Sequence, residues 1–241
     1  VSLRTRASAL RDNPTLFRAC GREMPQGRTL NSMKLAELTV TGFADIVSSD
    51  APAPGGGSCA ALYGAIGAAL TAMVGGLTQG RKKYAEYAEH AAEVEAKGNE
   101  LKTRLLNVMD RDTDAFNVVS AAFGMPKDTD EEKAARSAAL QEATLYATEV
   151  PLRTMKAAAK VFPVVRAMAS EGNPNSVSDA GVGALAARSA VLGACLNVKI
   201  NAAGLKDRAK ADALVAEAEA LAAEAVEAEA EVLRIVEEKI K

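Results

Sequence analysis

The sequence predicts an all-α protein, an up-and-down bundle of long helices with glycine- and alanine-rich helices at its centre. Three observations lead there. From Met33 onward no segment alternates apolar and polar residues as a half-buried strand does, while apolar positions recur at helical spacing over long stretches. Glycine, proline and capping residues punctuate these stretches where helices would start and stop. The chain is 49% hydrophobic but only 4% aromatic, with no Trp, so its core must be built from Ala, Leu, Val and close backbone approach.

Taken in order, Leu35, Leu38, Phe43, Ile46 and Val47 predict a first helix over about 34–49. Pro-Ala-Pro-Gly-Gly-Gly-Ser (52–58) then opens into CAALYGAIGAALTAMVGGL (59–77), nineteen uncharged residues, giving a helix over about 56–79. After the basic turn Gly80-Arg81-Lys82-Lys83, a long helix runs from Tyr84 to Phe123, with Leu101, Leu105, Val108, Met109, Phe116 and Val119 at helical spacing. Gly124-Met125-Pro126 ends it, and Thr129 with Glu132 forms a capping-box signature for a helix over about 130–160. Pro151 inside that helix predicts a kink or short break. A turn of helix at 161–170 leads into Glu171-Gly172-Asn173-Pro174-Asn175, after which Ser176 is placed to cap a second small-residue helix reaching Gly204. The acidic, Ala-rich stretch 205–241 carries Leu214, Leu221, Ala228 and Ile235 seven apart, a coiled-coil-like seam.

Residues 1–32 differ from the rest. They hold six Arg against Asp12 and Glu23 and show no apolar periodicity, which predicts a disordered N-terminal extension ahead of one helical domain over 33–241. An organelle-targeting segment is the competing reading of the same composition.

Several function classes drop out. A net charge of −2 offers no basic field for nucleic acid. The three cysteines, Cys20, Cys59 and Cys195, are widely spaced with no C-x-x-C, which speaks against a disulfide scaffold or zinc site and for a reducing, cytoplasmic setting. Residues 59–77 are long enough to span a membrane, but four glycines, few large aliphatics and no aromatic belt favour a buried central helix. His90 is the single histidine, so acid–base chemistry must rest on Asp, Glu, Lys or Tyr.

Those residues concentrate in a few places. A glycine loop opening into a helix leaves backbone N–H groups of Gly55, Gly56, Gly57 and Ser58 converging on one spot suited to an anionic or strongly polar ligand. Six glycines inside the two small-residue helices (64, 67, 75, 181, 183 and 193) imply either tight helix contacts or room for a ligand. Asn173, Asn175, Ser176, Ser178 and Asp179 crowd one loop–helix junction; Ser176 and Asp179 also read as plain caps. Asn197 and Asn201 share one face of an otherwise apolar helix and need partners, either a ligand or a facing subunit. Asp112 lies four residues after Val108 and four before Phe116, on the apolar face and nearly opposite Asp110 and Asp114. Burial there raises a carboxyl pKa toward the working pH, as a general acid–base requires; a structural ion pair is the alternative. Arg81-Lys82-Lys83-Tyr84 reads either as solvated charge or as an anchor for a carboxylate.

These residues line up with a known family. PAPGGGSCAALYGAIGAAL (52–70), LTQGRKKY (77–84), DRDTDAF (110–116), MPKDTDEEKAARSAALQEA (125–143), EVPL (149–152), GNPNSVSDAGV (172–182) and LNVKINAAGL (196–205) appear in family order. Over about Met33–Asp207 the chain resembles the cyclodeaminase/cyclohydrolase family of tetrahydrofolate enzymes. Ala53 stands where that family more often has Thr, and residues 1–32 have no counterpart. The resemblance implies an all-α homodimer with folate near helix ends at the subunit interface, and a tetrahydrofolate derivative as substrate with no metal or other cofactor. It assigns the acid–base role to Asp112 and folate contacts to Gly55, Gly56, Gly57, Ser58, Lys83 (with Lys82 beside it), Asn173, Ser178 and Asp179. Two reactions follow from it: hydrolysis of 5,10-methenyltetrahydrofolate to 10-formyltetrahydrofolate, which the SDAGV and LNVKINAAGL segments favour, or cyclodeamination of 5-formiminotetrahydrofolate. A reading of another class, a non-catalytic dimeric scaffold, predicts Leu-rich seams throughout and leaves Asp112 unexplained.

Overall fold

The computed structural model describes residues 34–241; the expected disorder of 1–32 lies outside them. Seven α-helices follow in order: α1 (Val40–Val47), α2 (Gly56–Thr78), α3 (Ala88–Phe123), α4 (Asp130–Ala159), α5 (Val161–Glu171), α6 (Val177–Ala202) and α7 (Arg208–Ile240). Short 3-10 turns occupy Leu35–Glu37, Lys82–Tyr87 and Pro174–Ser176, and no strand occurs among the described residues.

Small residues set the architecture. α2 lies between α3 and α6, antiparallel to both, and backbone touches backbone on each side. A β-carbon on Gly67 would stand 2.7 Å from the Gly183 carbonyl oxygen of α6, and one on Gly75 2.8 Å from that of Ala91 in α3. Gly98 of α3 returns the contact, 2.9 Å from the Ala68 carbonyl oxygen. Of the two readings of the interior glycines, close packing holds at these positions. Around this sandwich the core is Ala60, Ala65, Ala68, Leu101, Leu105, Met155, Val165, Ala187 and Val191, all buried.

Five elements differ locally from the sequence reading. The first helix divides at Leu38–Thr39, because Thr39 is extended and its hydroxyl accepts the Gly42 N–H to start α1 afresh. The long helix starts at Ala88 rather than Tyr84, since Tyr84 sits at φ −121° and ψ 22° and interrupts the helical register. Ser176 makes no capping bond for α6; it is buried, and Asn173 caps the preceding turn instead by accepting the Asn175 N–H. α7 starts at Arg208 and buries a heptad of Ala211, Ala218, Ala225 and Val232, together with Val236; Leu214, Leu221, Ala228 and Ile235 pack beside them as the second half of the seam.

The fifth difference has a specific cause. α4 runs through Pro151 without a break. A proline cannot donate to the carbonyl four residues earlier, here Ala147. Asn201 of α6 supplies the missing donor, its Nδ2 lying 2.7 Å from the Ala147 oxygen. One of the two amides singled out in the sequence thus finds its partner within the chain. Replacing Asn201 by Leu should strand that carbonyl and cost about 1–3 kcal/mol in urea denaturation.

One face of the sandwich is bare. Tyr63, Ile66, Met73 and Leu77 are exposed along one stripe of α2, and Val182, Leu185, Leu196 (69% exposed) and Ile200 (74%) along one stripe of α6. α2 and the stretch Pro174–Ala202 are both long and apolar enough to cross a membrane, yet about half of each is buried within the bundle. Their other half is this face.

Candidate active site

α2 starts abruptly. Gly55 is extended before it and no side chain caps it, so the N–H groups of its first turn have no intrahelical partners. Asp112 of α3 is brought to this end. The Ser58 hydroxyl donates to Asp112 Oδ2 at 2.9 Å, and the Ser58 backbone N–H bonds the same carboxylate. That hydroxyl also lies 3.3 Å from the Met109 carbonyl oxygen and 3.4 Å from Thr113 Oγ1. Burial pushes the Asp112 carboxyl above its ordinary range, and the two bonds from Ser58 oppose this only in part. Among the described residues no Lys or Arg pairs with Asp112, so the ion-pair alternative is not what holds it. The acid is half-buried, poised and hydrogen-bonded on one side.

Gly57 is what admits it. A β-carbon there would stand 2.6 Å from Asp112 Cγ, closer than side chains approach. In contrast, a β-carbon on Gly55 would meet nothing within 4 Å. Across the same helix end comes Asn197 of α6, whose Nδ2 would be 3.6 Å from a β-carbon on Gly56 and donates to the Gly193 carbonyl at 2.9 Å. Cys59 sits beside Asp112, its thiol pushed up by burial first and by the Asp112 charge second. Asp110 turns away and accepts the Leu35 N–H at 2.7 Å.

The other residues drawn from the sequence lie at the opposite end of α2, about 33 Å away along its 1.5 Å rise per residue. Asn173 is tied to the last turn of α2: its N–H donates to Thr78 Oγ1 at 2.9 Å and its Nδ2 lies 3.4 Å from the Leu77 oxygen. With its Oδ1 accepting from Asn175, its side chain is spent on holding this junction. Ser178 is exposed and Asp179 half-buried in the first turn of α6; Lys82 and Lys83 are exposed, with Lys83 over the Tyr84 ring at 5.6 Å. Within one chain, then, the structure brings Gly55, Gly56, Gly57 and Ser58 to Asp112, and does not bring Lys82, Lys83, Asn173, Ser178 or Asp179 there. The sequence marks Asn197 as an amide in need of a partner and carries no sign that it belongs to this site. Its proximity to Gly56 comes from the antiparallel packing of α2 and α6 and has no local signature.

Residues 39–220 match the formiminotransferase-cyclodeaminase family. The chain belongs to that family. It is 44% identical to a methenyltetrahydrofolate cyclohydrolase of Methylorubrum extorquens, over 84% of this chain and 97% of that protein. It is 35% identical to the formimidoyltransferase-cyclodeaminases of Mus musculus and Dictyostelium discoideum, and spans only about a third of their length (32% and 37%). The formiminotetrahydrofolate cyclodeaminase of Thermotoga maritima shares the fold, with a TM-score of 0.76 at 24% identity over 86% of this chain and all of that one.

Proposed function

We propose that this family member is a cytoplasmic folate enzyme hydrolysing 5,10-methenyltetrahydrofolate to 10-formyltetrahydrofolate. The observation that carries the chemistry is Asp112, a carboxyl raised by burial and held by Ser58 against the open start of α2. The methenyl carbon is the electrophilic centre of a cationic amidinium. Ionised Asp112 offsets that charge and takes a proton as water adds to the carbon. The resulting tetrahedral carbon carries a hydroxyl, which accepts from the N–H groups of Gly56 and Gly57 in this proposal. Asp112 then returns its proton to N5 as the N5–carbon bond breaks, the hydroxyl loses its own proton to solvent, and the formyl group stays on N10. The proton shuttle is worth about 10²–10⁴-fold, with positioning supplying much of the remainder.

The near-full-length match at 44% identity favours this reaction over cyclodeamination. The cyclodeaminase relatives keep the second reaction as the one to test against it. Incubation with each substrate decides: loss of the methenyl chromophore without ammonia supports hydrolysis, and its appearance with ammonia from the 5-formimino compound supports the alternative.

The split of the site residues between the two ends of α2 has a solution in a homodimer. The bare stripes of α2 and α6 form one contiguous apolar face, more than lone exposed side chains account for, and a second copy would bury it. A two-fold axis perpendicular to α2 lays the Asp112 end of one subunit against the Lys82, Lys83, Ser178 and Asp179 end of the other, forming two composite sites. Subunit mixing checks this. Asp112→Asn and Asp179→Ala are each expected to be inactive alone, and an equilibrated equal mixture to recover about a quarter of wild-type activity, because half the dimers then carry one intact site. Lack of recovery, with heterodimers demonstrably formed, removes the composite arrangement. Sedimentation without detergent separately tests whether a second copy covers the apolar face.

A further inference from the structure

α3 outruns the helix it packs against. Its α2-facing register is a strict heptad: Ala91 against Gly75, Gly98 against Ala68 and Ala72, Leu105 against Gly64, and Asp112 against Gly57. At Gly56 α2 ends, but α3 continues to Phe123, about 16 Å past Asp112 at 1.5 Å per residue. The same face therefore carries on with nothing from α2 opposite it. Positions 4, 7 and 11 after Asp112 fall within about 40° of it on the helix, and they are Phe116, Val119 and Phe123. Phe116 and Val119 are half-buried, Phe123 is 43% exposed, and none of the three belongs to the apolar clusters among the described residues. Ala115, one residue away, does: it turns toward Val150 of α4. α4 also touches both ends of this face, since Val108, one turn before Asp112, shares a cluster with Val150 and Arg136 lies over the Phe123 ring at 5.7 Å; Phe116 and Val119 lie outside those contacts.

We infer that Phe116 is the shelf on which the reduced pteridine ring of the substrate lies, one helical turn from the acid that works on its bridging carbon. Side chains four apart on a helix stand about 5–6 Å from each other at Cβ, the separation between a ring system resting on Phe116 and a reacting atom at its edge beside Asp112. The occupant must be flat and largely apolar on its faces, must reach the polar N–H groups at the start of α2 with its edge, and must fit beyond the end of that helix. A pteridine meets all three requirements. An aliphatic or purely anionic ligand would leave the aromatic face unused. The inference rests on the folate reading given above and adds to it a residue that fixes where, and in what plane, the ring sits.

The test compares Phe116→Leu, Phe116→Tyr and Phe123→Leu as full-length proteins, each checked for wild-type melting. Binding of 5-formyltetrahydrofolate, which keeps the pteridine but does not turn over, is measured by calorimetry, together with steady-state hydrolysis of the methenyl compound. Stacking of a base on an aromatic side chain typically contributes enough that its loss weakens binding on the order of tenfold or more. Phe116→Leu is accordingly expected to raise Kd and KM about tenfold with kcat within about threefold, while Phe116→Tyr and Phe123→Leu stay near wild type. p-Aminobenzoylglutamate, which lacks the ring, should bind wild type and Phe116→Leu equally, an equality that a general structural defect would not produce. Wild-type affinity for 5-formyltetrahydrofolate in a folded Phe116→Leu protein overturns the shelf while leaving the folate reading intact. Failure of the wild-type protein itself to bind any reduced folate overturns both. Equal losses in Phe116→Leu and Phe123→Leu with a changed sedimentation coefficient assign the face to a subunit contact and overturn the shelf.

Discussion

Asp112→Asn should lose turnover by about 10²–10⁴-fold while binding reduced folate nearly as well as the wild type, as read by single-turnover kinetics and calorimetry. The amide keeps the size of the carboxyl and can still accept from Ser58, so the helix start is not disturbed; only the ability to take and return a proton goes. Stability should move in the opposite direction. Burial raises the Asp112 pKa above the value the same group has in the unfolded chain. The stability tied to its protonated form is therefore complete below the unfolded carboxylate range, near pH 4, and is lost as pH rises through the folded value. At neutral pH the ionised side chain costs the folded state, and Asn does not carry that cost. Urea titrations across pH 4–8 should show the variant more stable than wild type at the upper end and the difference shrinking toward the lower. A variant that keeps wild-type turnover takes Asp112 out of the chemistry. An unchanged stability difference across that range means burial does not dominate its titration.

Gly57→Ala is expected to come close to the same loss of activity without touching any ionisable group. The added methyl would occupy a point 2.6 Å from Asp112 Cγ, so either the carboxylate swings away or the start of α2 shifts. Either movement breaks the Ser58 bonds and takes the proton-transfer group off its target, and a misplacement of about 1 Å costs on the order of 10²-fold. Gly55→Ala, two residues earlier, meets nothing within 4 Å and sits at a negative φ that Ala tolerates, so it should retain activity. This pair separates a requirement for space at one position from a general requirement for a flexible glycine loop. Near-normal kcat in Gly57→Ala would mean that Asp112 works from some other position. The pH profile of a weakly active Gly57→Ala protein carries further information, because a carboxyl moved into water should titrate closer to its ordinary range.

Much of this was legible in the sequence, and for identifiable reasons. Periodicity and capping chemistry are local, so the helices at Gly56 and Asp130 begin within a residue or so of where Gly55-Gly56-Gly57 and the Thr129–Glu132 box placed them, and the helix at Val177 begins right after Ser176 as expected although Ser176 makes no capping bond. The half-buried state of Asp112 was legible too, since a carboxylate between Val108 and Phe116 on an apolar stripe has little other choice. Less visible were features that depend on which backbone faces which. Pro151 signalled a break, and only the docking of α6 places Asn201 where it repairs the ladder. Asn173 looked like a ligand contact, and only the meeting of α5 with the last turn of α2 shows its groups already in use. α1 keeps Val40 89% exposed, a fact no periodicity announces.

Sequence by itself determined the helices, their order, the family and the half-buried placement of Asp112, because each rests on chemistry within a few residues or on motifs in a fixed order. Tertiary structure alone decided that Gly57 makes room for Asp112, that Asn197 joins them, and that Lys82, Lys83, Ser178 and Asp179 stand a full helix length away. The physical reason is direction. α2 is antiparallel to both neighbours, so residues distant in the chain meet at its first turn, while residues close to its end in sequence are carried to the far side of the bundle.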